Sequence, residues 1–239
     1  MPDKTELCVL VSAGAEWRAL LPHFSGVEVV ESPFGESFHT QIGDRNVWFL
    51  HGGWGKVAAA GSTQYAIDRW SPQGVINLGT CGGFKGRIKR GEIILAQKTI
   101  IYDIFEQMSD SDQAVNKYSI DFDLEWLPPN PPQPVRVDTL ISADRDINPS
   151  EIPWLIEKYN AAAADWESGA IAWVARQNKV PCLILRAVSD LVEIDSSDAY
   201  GDYPFFERQC QGIMTDFAQH LPGWIEAFQN DRGQKTGDR

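Results

Sequence analysis

The sequence lacks an excess of basic residues, and it lacks a long apolar run. Its 239 residues include 33 acidic and 21 basic side chains, which gives a formal net charge of −12. Because an acidic surface repels phosphate backbones and anionic lipid headgroups, this charge argues against nucleic-acid and membrane-surface binding. No apolar stretch reaches the ~18 residues that a membrane span needs, and Asp3, Lys4 and Glu6 stand where a signal peptide has its apolar core.

Cysteine is scarce as well. The four cysteines, Cys8, Cys81, Cys182 and Cys210, form no C-x-x-C pair and no Cys/His cluster at zinc spacing. Cys8 and Cys182 lie inside apolar runs, where a reduced cysteine packs as a small hydrophobic residue. The pattern favours a reducing cytoplasm and argues against a metal site.

The sequence also lacks complete motifs for three common kinds of site. Residues 53–58 match G-x-G-x-x-[GA], but the strand that follows ends without the carboxylate that holds the ribose of a dinucleotide. A phosphate-binding loop is excluded because Val57 follows Gly55-Lys56, and no G-x-S-x-G elbow of a serine hydrolase is found. We interpret residues 53–58 as a tight strand-to-helix turn, and a dinucleotide-dependent oxidoreductase is a distant alternative.

Short apolar runs alternate with helical patterns along the chain. Continuous apolar runs predict strands buried on both faces at residues 7–13, 46–51, 75–79 and 181–187, and further strands are expected at 92–96, 98–102 and 135–141. Helical spacing of apolar residues predicts helices at residues 15–24, 56–70, 166–178 and 205–228. The last is either one long helix or two helices broken at Pro222-Gly223. This alternation predicts an α/β domain with a largely parallel sheet.

One segment, residues 109–134, does not fit this alternation. It is polar and then rich in proline, with Pro128, Pro129, Pro131, Pro132 and Pro134. Because proline removes backbone donors from a sheet, we expect an excursion that takes no part in the core. It is either a functional loop or a linker. The whole chain, 1–239, is expected to form a single domain.

Three carboxylates lie at the carboxyl ends of predicted strands or at the starts of predicted helices, and they mark a candidate site. Glu16 follows the first strand, Glu167 starts a helix, and Asp190 ends the last strand, while residues 79–83 form a glycine-rich turn. Ligands of open α/β sheets collect at the carboxyl ends of strands, so these segments are expected to share one pocket. Each carboxylate also has an ordinary structural interpretation: Glu16 as a first-turn helix acid, Asp190 as an N-cap and Glu167 as a solvated helical residue.

At these residues the chain resembles the purine and uridine phosphorylase superfamily. It is most similar to the hydrolytic branch, the methylthioadenosine/S-adenosylhomocysteine nucleosidases. The resemblance rests on the order and spacing of GWGKVAAA (53–60), VINLGTCGG (75–83), RGEII (90–94), ISAD (141–144), DWE (165–167) and VPCLILRAVSD (180–190). It implies a three-layer αβα sandwich around a twisted mixed sheet, a homodimer, and hydrolysis of a purine-type nucleoside without a metal or organic cofactor.

The resemblance also implies roles for residues at matching positions. Asp190 corresponds to the acid that protonates the leaving purine, Glu16 to the base that activates water, and Glu167 to the carboxylate that binds the ribose hydroxyls. The remaining substrate contacts that it implies are Thr80, Gly82, Asp146, Ile147, Trp166 and Ser189. Cleavage of an N-glycosidic bond builds positive charge on the sugar and negative charge on the base, and paired carboxylates suit that chemistry. Burial at the end of an apolar strand would raise the pKa of Asp190 as an acid requires.

The chain departs from the family at several positions. Asn77 stands where phosphorylases carry a phosphate-binding Arg, and Arg18 lacks the Asp-Pro that precedes it in their phosphate loop, which favours hydrolysis. Asp146 replaces the aromatic residue that stacks on the base, and Trp166 replaces a Met beside the sugar. Another base, or a modified nucleoside such as futalosine, is therefore an open alternative. So are a nucleoside phosphorylase and a catalytically silent nucleoside-binding relative. Either the base pocket is altered or another ring replaces the missing one, and the candidates for that ring are Tyr102, Phe105 and Trp126.

Overall fold

The computed structural model describes residues 7–193 and 196–235, so Asp3, Lys4 and Glu6 lie outside the described residues. Within these ranges the chain forms eleven strands and six α-helices. The strands are β1 (Leu7–Val11), β2 (Val29–Glu31), β3 (Glu36–Ile42), β4 (Arg45–His51), β5 (Gly74–Phe84), β6 (Ile93–Ile101), β7 (Ser119–Asp121), β8 (Arg136–Ser142), β9 (Ala161–Asp165), β10 (Cys182–Glu193) and β11 (Ser196–Ser197). The helices are α1 (Gly14–Leu20), α2 (Gly55–Trp70), α3 (Ser111–Lys117), α4 (Ile152–Tyr159), α5 (Ser168–Gln177) and α6 (Tyr203–Lys235).

All the strands join one mixed sheet that partly closes on itself. Strand β5 is parallel to β1 and β10 and antiparallel to β9. The path from β10 through β6, β8 and β9 returns to β5, so these five strands form a ring. The arm β1-β4-β3-β2 extends from β5. The predicted mixed α/β fold is confirmed, but the sheet is not largely parallel, because antiparallel pairs such as β3–β4 and β5–β9 interrupt it.

Helices cover both faces of this sheet. Along β1, Leu7, Val9 and Val11 pack in the same cluster as residues of α1 and α6. The alternate residues Cys8 and Leu10 pack in a second cluster with residues of α2 and α5. Successive side chains of a strand point to opposite faces, so burial on both faces explains why this run is apolar throughout.

Several predicted element boundaries differ from the observed ones. The runs 92–96 and 98–102 form one strand, β6, and residues 79–83 continue β5 instead of forming a turn. Strand β10 likewise extends to Glu193, so Asp190 lies inside the strand and is not an N-cap. Helix α6 passes through Pro222 without a break, which settles the open alternative. None of the helices within the described ranges, α6 included, is long and apolar enough to cross a membrane.

The proline-rich segment contains regular structure and contributes to the core. It includes α3 and also β7, which pairs with β6. Beyond β7, Leu124, Trp126 and Leu127 pack partly buried against the core. Gln133 is buried, and its Oε1 accepts a hydrogen bond from the Trp224 indole N–H at 3.0 Å. Val115 of α3 is buried in the core as well, so the prediction that this segment takes no part in the core is wrong.

Candidate active site

A cavity of about 490 Å³ is lined by the carboxyl-terminal parts of β5, β9 and β10 and by the segments that follow β1 and β8. It brings together all nine residues that the sequence places at the site, namely Glu16, Thr80, Gly82, Asp146, Ile147, Trp166, Glu167, Ser189 and Asp190. The three rings proposed as stacking partners do not line it. Its aromatic surface comes instead from Trp54, Trp166, Tyr200, Tyr203 and Phe206.

Glu16 is buried in the first turn of α1 and is held through both carboxylate oxygens. Its Oε1 accepts hydrogen bonds from the Thr80 N–H at 2.6 Å and the Thr80 hydroxyl at 2.8 Å. Its Oε2 accepts from the Ala13 N–H at 3.2 Å. Because Ala13 has no side chain that can cap α1, Glu16 satisfies a free amide at the helix start. Glu16 therefore acts as a first-turn acid of α1 and also lines the cavity.

Arg186 is a buried cation behind the cavity that sequence reasoning did not single out. Its side chain is 1% exposed, and it lies among three carboxylates, 3.0 Å from Asp165, 3.5 Å from Glu167 and 3.8 Å from Glu16. Burial lowers the pKa of Arg186, but the charges of Asp165, Glu16 and Glu167 outweigh burial and raise it. The sequence does contain a signal for this cluster, because Arg186 lies inside the apolar run 182–187. A charge buried in such a run needs partners of opposite charge.

Gly79 makes room for this ion cluster. A Cβ at position 79 would collide with Arg186 Nη1 and lie 2.9 Å from both carboxylate oxygens of Glu16. The centre of β5 therefore needs glycine there, because the arginine and the glutamate approach its backbone directly.

Glu167 lies at the N-cap of α5 and faces both the cavity and α2. Its Oε1 accepts a hydrogen bond from the Gly55 N–H at 3.1 Å, and its Oε2 lies 3.5 Å from Arg186 Nη2. Burial raises the pKa of Glu167 to about 8, although the Arg186 guanidinium opposes this shift. Glu167 is buried, so its interpretation as a solvated helical residue is wrong.

The turn between β4 and α2 presents an aromatic surface beside Glu167. Trp54 lies at the N-cap of α2 and stacks on Trp166, with ring centroids 4.5 Å apart and an angle of 24° between the ring planes. The Gly55 amide bonds to Glu167 and the Lys56 amide to Asp144. Amides that a pyrophosphate would need are thus occupied by carboxylates, which agrees with the interpretation of residues 53–58 as a turn.

Asp190 lies opposite Gly82 in the paired strands β10 and β5. The pairing register shifts between Val188 and Asp190, so Ser189 occupies a bulge of the kind that redirects side chains beside active sites. The Ser189 hydroxyl donates to Asp190 Oδ1 at 2.6 Å. The bulge thereby directs a buried carboxyl group into the cavity.

The outer part of the cavity is polar and more exposed. Arg145 and Asp146 are exposed, and Arg145 forms a two-point ion pair with Glu151 at 3.0 and 2.6 Å. The Tyr200 hydroxyl donates to the Ile147 carbonyl at 2.9 Å, which joins the segment after β8 to the segment before α6. A ligand here would meet charged and hydrogen-bonding groups.

Phosphorylases carry arginines at the positions of Asn77 and Arg18. Neither position provides this chain with an unpaired cation for phosphate. The Asn77 side chain accepts a hydrogen bond from Arg186 Nη2 at 2.9 Å and donates to the Leu10 carbonyl at 3.0 Å. Arg18 is 62% exposed and pairs with Glu207 at 3.0 Å. In addition, no group of three or more His, Cys, Asp and Glu side chains within the described residues is arranged to hold a metal ion.

Comparisons with known proteins agree on one superfamily. A family model described as the phosphorylase superfamily matches residues 6–221. The 5'-methylthioadenosine/S-adenosylhomocysteine nucleosidase of Tolumonas auensis is 26% identical over 200 residues, which cover 79% of this chain and 87% of that protein.

Two solved structures show the same fold. The Arabidopsis thaliana 5'-methylthioadenosine nucleosidase has a TM-score of 0.75 at 21% identity, and the match covers 91% of this chain and 95% of that one. The futalosine hydrolase of Helicobacter pylori also has a TM-score of 0.75, at 17% identity, with 93% and 97% covered. The family suggested by the sequence motifs is confirmed.

Proposed function

The chain belongs to the phosphorylase superfamily, and we propose that it is a nucleosidase that hydrolyses the N-glycosidic bond of a purine-type nucleoside. The observation that carries the proposal is the meeting of Glu16, Glu167 and Asp190 in one cavity. The names of the relatives support methylthioadenosine and S-adenosylhomocysteine as the first substrates to test.

In this proposal Glu16 activates the attacking water. Three donors fix its carboxylate, and Oε2, which accepts only the 3.2 Å bond from Ala13 among the hydrogen bonds described, has a lone pair available for the water. The Arg186 guanidinium lies behind this carboxylate, with its Nη1 3.8 Å from Glu16 Oε1. A general base within hydrogen-bonding reach of the proton is the geometry that this step requires.

Glu167 and Asp190 act at the two ends of the breaking bond. Glu167 accepts hydrogen bonds from the ribose hydroxyls, and its negative charge stabilises the positive charge that builds on the sugar. Asp190 donates a proton to the leaving base, and the Ser189 hydroxyl orients it. Thr80, Gly82 and Trp166 surround the sugar, while Asp146 and Ile147 face the base.

Water is favoured over phosphate as the attacking group. A phosphate dianion needs unengaged guanidinium groups or clustered amides. Arg186 already faces three carboxylates, and Arg145 is bound to Glu151. The cavity therefore lacks, among its described residues, an arginine that is not already paired with a carboxylate.

A futalosine-type hydrolase is the second candidate. Asp146 at the outer part of the cavity favours it, because a carboxylate replaces the ring that would stack on adenine. The fold likeness to a futalosine hydrolase is as high as that to a methylthioadenosine nucleosidase.

We also propose a homodimer in the cytoplasm. Val57, Phe105 and Met108 are large apolar side chains with exposed fractions of 86, 77 and 98%. Val57 directly follows Lys56, Phe105 lies two residues after Asp103, and Lys56 and Asp103 form an ion pair. An exposed apolar patch that includes Val57 and Phe105 would be suited to an interface. Sedimentation equilibrium of the protein and of a Val57→Lys variant tests the dimer, and a monomeric unmodified protein would contradict it.

One experiment separates the candidate functions. The purified protein is incubated with methylthioadenosine, S-adenosylhomocysteine, futalosine and inosine, with and without inorganic phosphate, and free base is measured. Base release without phosphate supports a nucleosidase, and release that requires phosphate indicates a phosphorylase. Thermal stabilisation by a nucleoside without base release indicates a silent binding relative.

A further inference from the structure

The amino-terminal end of α2 is held by two acidic side chains from other parts of the chain. Its own N-cap residue, Trp54, makes no side-chain cap. Instead, the Gly55 N–H donates to Glu167 Oε1 at 3.1 Å and the Lys56 N–H donates to Asp144 Oδ1 at 2.7 Å. Carboxylates suit a helix start because they accept hydrogen bonds from its free amides and lie favourably in the helix dipole. Of the two, Glu167 lines the cavity and Asp144 is not among its lining residues.

Asp144 is itself fixed by a network around Lys56. The Asp144 N–H donates to Asp103 Oδ2 at 3.0 Å, and the Lys56 ammonium group bonds to the other oxygen of Asp103. The same ammonium group lies 3.8 Å from Asp144 Oδ2. Asp144 therefore holds Lys56 at its backbone, while Asp103 joins both residues.

The backbone at Gly55 transmits this attachment to Glu167. Gly55 has a φ of +84°, a conformation that other residues rarely adopt, and a Cβ there would lie 3.1 Å from Asp144 Oδ1. Gly55 thus lies against Asp144 on one side while its N–H points to Glu167. We therefore expect a change in how Asp144 holds Lys56 to displace the adjacent Gly55 amide.

We propose that Asp144 is a positioning residue that, by holding the Lys56 amide, directs the Gly55 N–H onto Glu167 and so keeps the Glu167 carboxylate oriented toward the ribose hydroxyls. The inference rests on the proposed ribose-binding role of Glu167. It explains why an acidic side chain outside the cavity is built into the turn that supports one wall of the cavity.

The charge state of Glu167 offers a readout that a purely structural role would not change. Four groups act on it: Arg186 at 3.5 Å, the Gly55 N–H at 3.1 Å, and the negative charges of Asp165 and Glu16. Burial raises its pKa to about 8, while Arg186 and the Gly55 hydrogen bond oppose the shift. Loss of the Gly55 hydrogen bond therefore raises the pKa of Glu167 further.

The first test titrates Glu167 directly in the full chain. Infrared difference spectra follow the protonated carboxyl band with pH, and the Glu167→Gln variant assigns that band. In Asp144→Ala we expect the midpoint to rise by roughly 0.5 to 1 unit, the size expected for a weakened helix-cap hydrogen bond. Asp144→Asn keeps an acceptor oxygen and should move it less.

A matched control removes a helix cap elsewhere. Asp110 caps α3, accepting from the Asp112 N–H at 2.9 Å, and does not line the cavity. Asp110→Ala should leave the Glu167 midpoint unchanged. If Asp144→Ala does not fold, as judged by circular dichroism, Asp144→Asn takes its place, and the expected rise of the midpoint is then smaller but still measurable. An unmoved midpoint in the folded variants overturns the inference.

The second test compares methylthioadenosine with its 2',3'-dideoxy analogue, which lacks the hydroxyls that Glu167 would bind. Asp144→Ala should lower kcat/KM about tenfold for the first, through KM, and leave the analogue nearly unaffected. Equal losses for both substrates would overturn the inference. A shifted Glu167 midpoint in a protein that cleaves no nucleoside would support the contact to Glu167 and remove the proposed function.

Discussion

The two ends of the cavity are built differently. The inner end, defined by Glu16, Thr80, Glu167 and the Arg186 behind them, is buried and tied to the backbone of β5, α1 and α2. The outer end, defined by Arg145, Asp146 and Tyr200, lies on exposed connecting segments. Substitutions at the inner end should therefore affect stability and chemistry together. Those at the outer end should alter which ligand is accepted and leave the fold intact.

The largest effect is expected at Asp190, where the two ends meet. Asp190→Asn keeps the shape of the side chain but removes the acid, so kcat should fall by about 10²–10⁴-fold while the melting temperature stays nearly constant. Free base release and thermal unfolding measure the two quantities. Asp146→Asn at the outer end is the control and should retain most activity. Undiminished turnover in Asp190→Asn would remove its assignment as the acid.

Arg186→Met should strongly destabilise the inner end of the cavity. It leaves Glu16, Asp165 and Glu167 as buried carboxylates without their cation, and we expect a loss of about 3–5 kcal/mol in the free energy of unfolding in urea at neutral pH. Arg145→Met is the matched variant at the outer end. Its ion pair with Glu151 is partly exposed, and its loss should cost at most about 1 kcal/mol. Equal losses would contradict the difference between the two ends.

The third prediction concerns the pH dependence of substrate binding at the inner end. Because the pKa of Glu167 is raised to about 8, the ionised form that accepts ribose hydroxyls increases as the pH rises from 6 to 9. KM for a ribonucleoside should therefore fall over that range, by roughly a hundredfold if binding needs the ionised form. Glu167→Gln should abolish this dependence. Glu151→Gln, which removes the carboxylate that pairs with Arg145 of the outer end, should preserve it.

The smallest effect is expected from Asp146→Phe. Restoring a ring at the outer end should improve kcat/KM for adenine nucleosides by roughly three- to tenfold, the size of an aromatic stacking contact. The free energy of unfolding should change by less than about 0.5 kcal/mol, because the side chain is exposed. Kinetics with methylthioadenosine and inosine measure the shift in selectivity. A large loss in the free energy of unfolding would show that the outer end contributes to the stability of the fold.

Sequence reasoning was most informative where local pattern and burial coincide. The apolar runs predicted β1, β4 and the first parts of β5 and β10, because a strand buried on both faces leaves a continuous apolar signature. Strand β9 was not predicted from the sequence. Its residues, Ala161–Asp165, are four alanines and an aspartate, and alanine has a low strand propensity. Pairing with β5 and β8 holds this segment in the sheet. Tertiary contacts decide the conformation of such a segment.

For the candidate site too, local patterns could be predicted from the sequence and long-range contacts could not. The carboxylates were visible because Glu16 and Asp190 lie at the ends of predicted strands and Glu167 at the start of a predicted helix, and all three line one cavity. The partners of Arg186 come from α1, the end of β9 and the start of α5, and the hydrogen bond of Tyr200 crosses to the segment after β8. Contacts between residues so far apart in the sequence leave no local pattern, so they became visible only in the structure.

The stacked tryptophans give the cavity its own optical reporter. Of the nine tryptophans, Trp54 and Trp166 are the two that line the cavity, and Trp54 is 66% exposed. A ligand that displaces solvent from this ring changes its fluorescence emission, and the signal can be isolated by subtracting the spectrum of a Trp54→Phe variant. Occupancy can therefore be followed by a fluorescence titration with an unlabelled ligand, even for a molecule that is never cleaved.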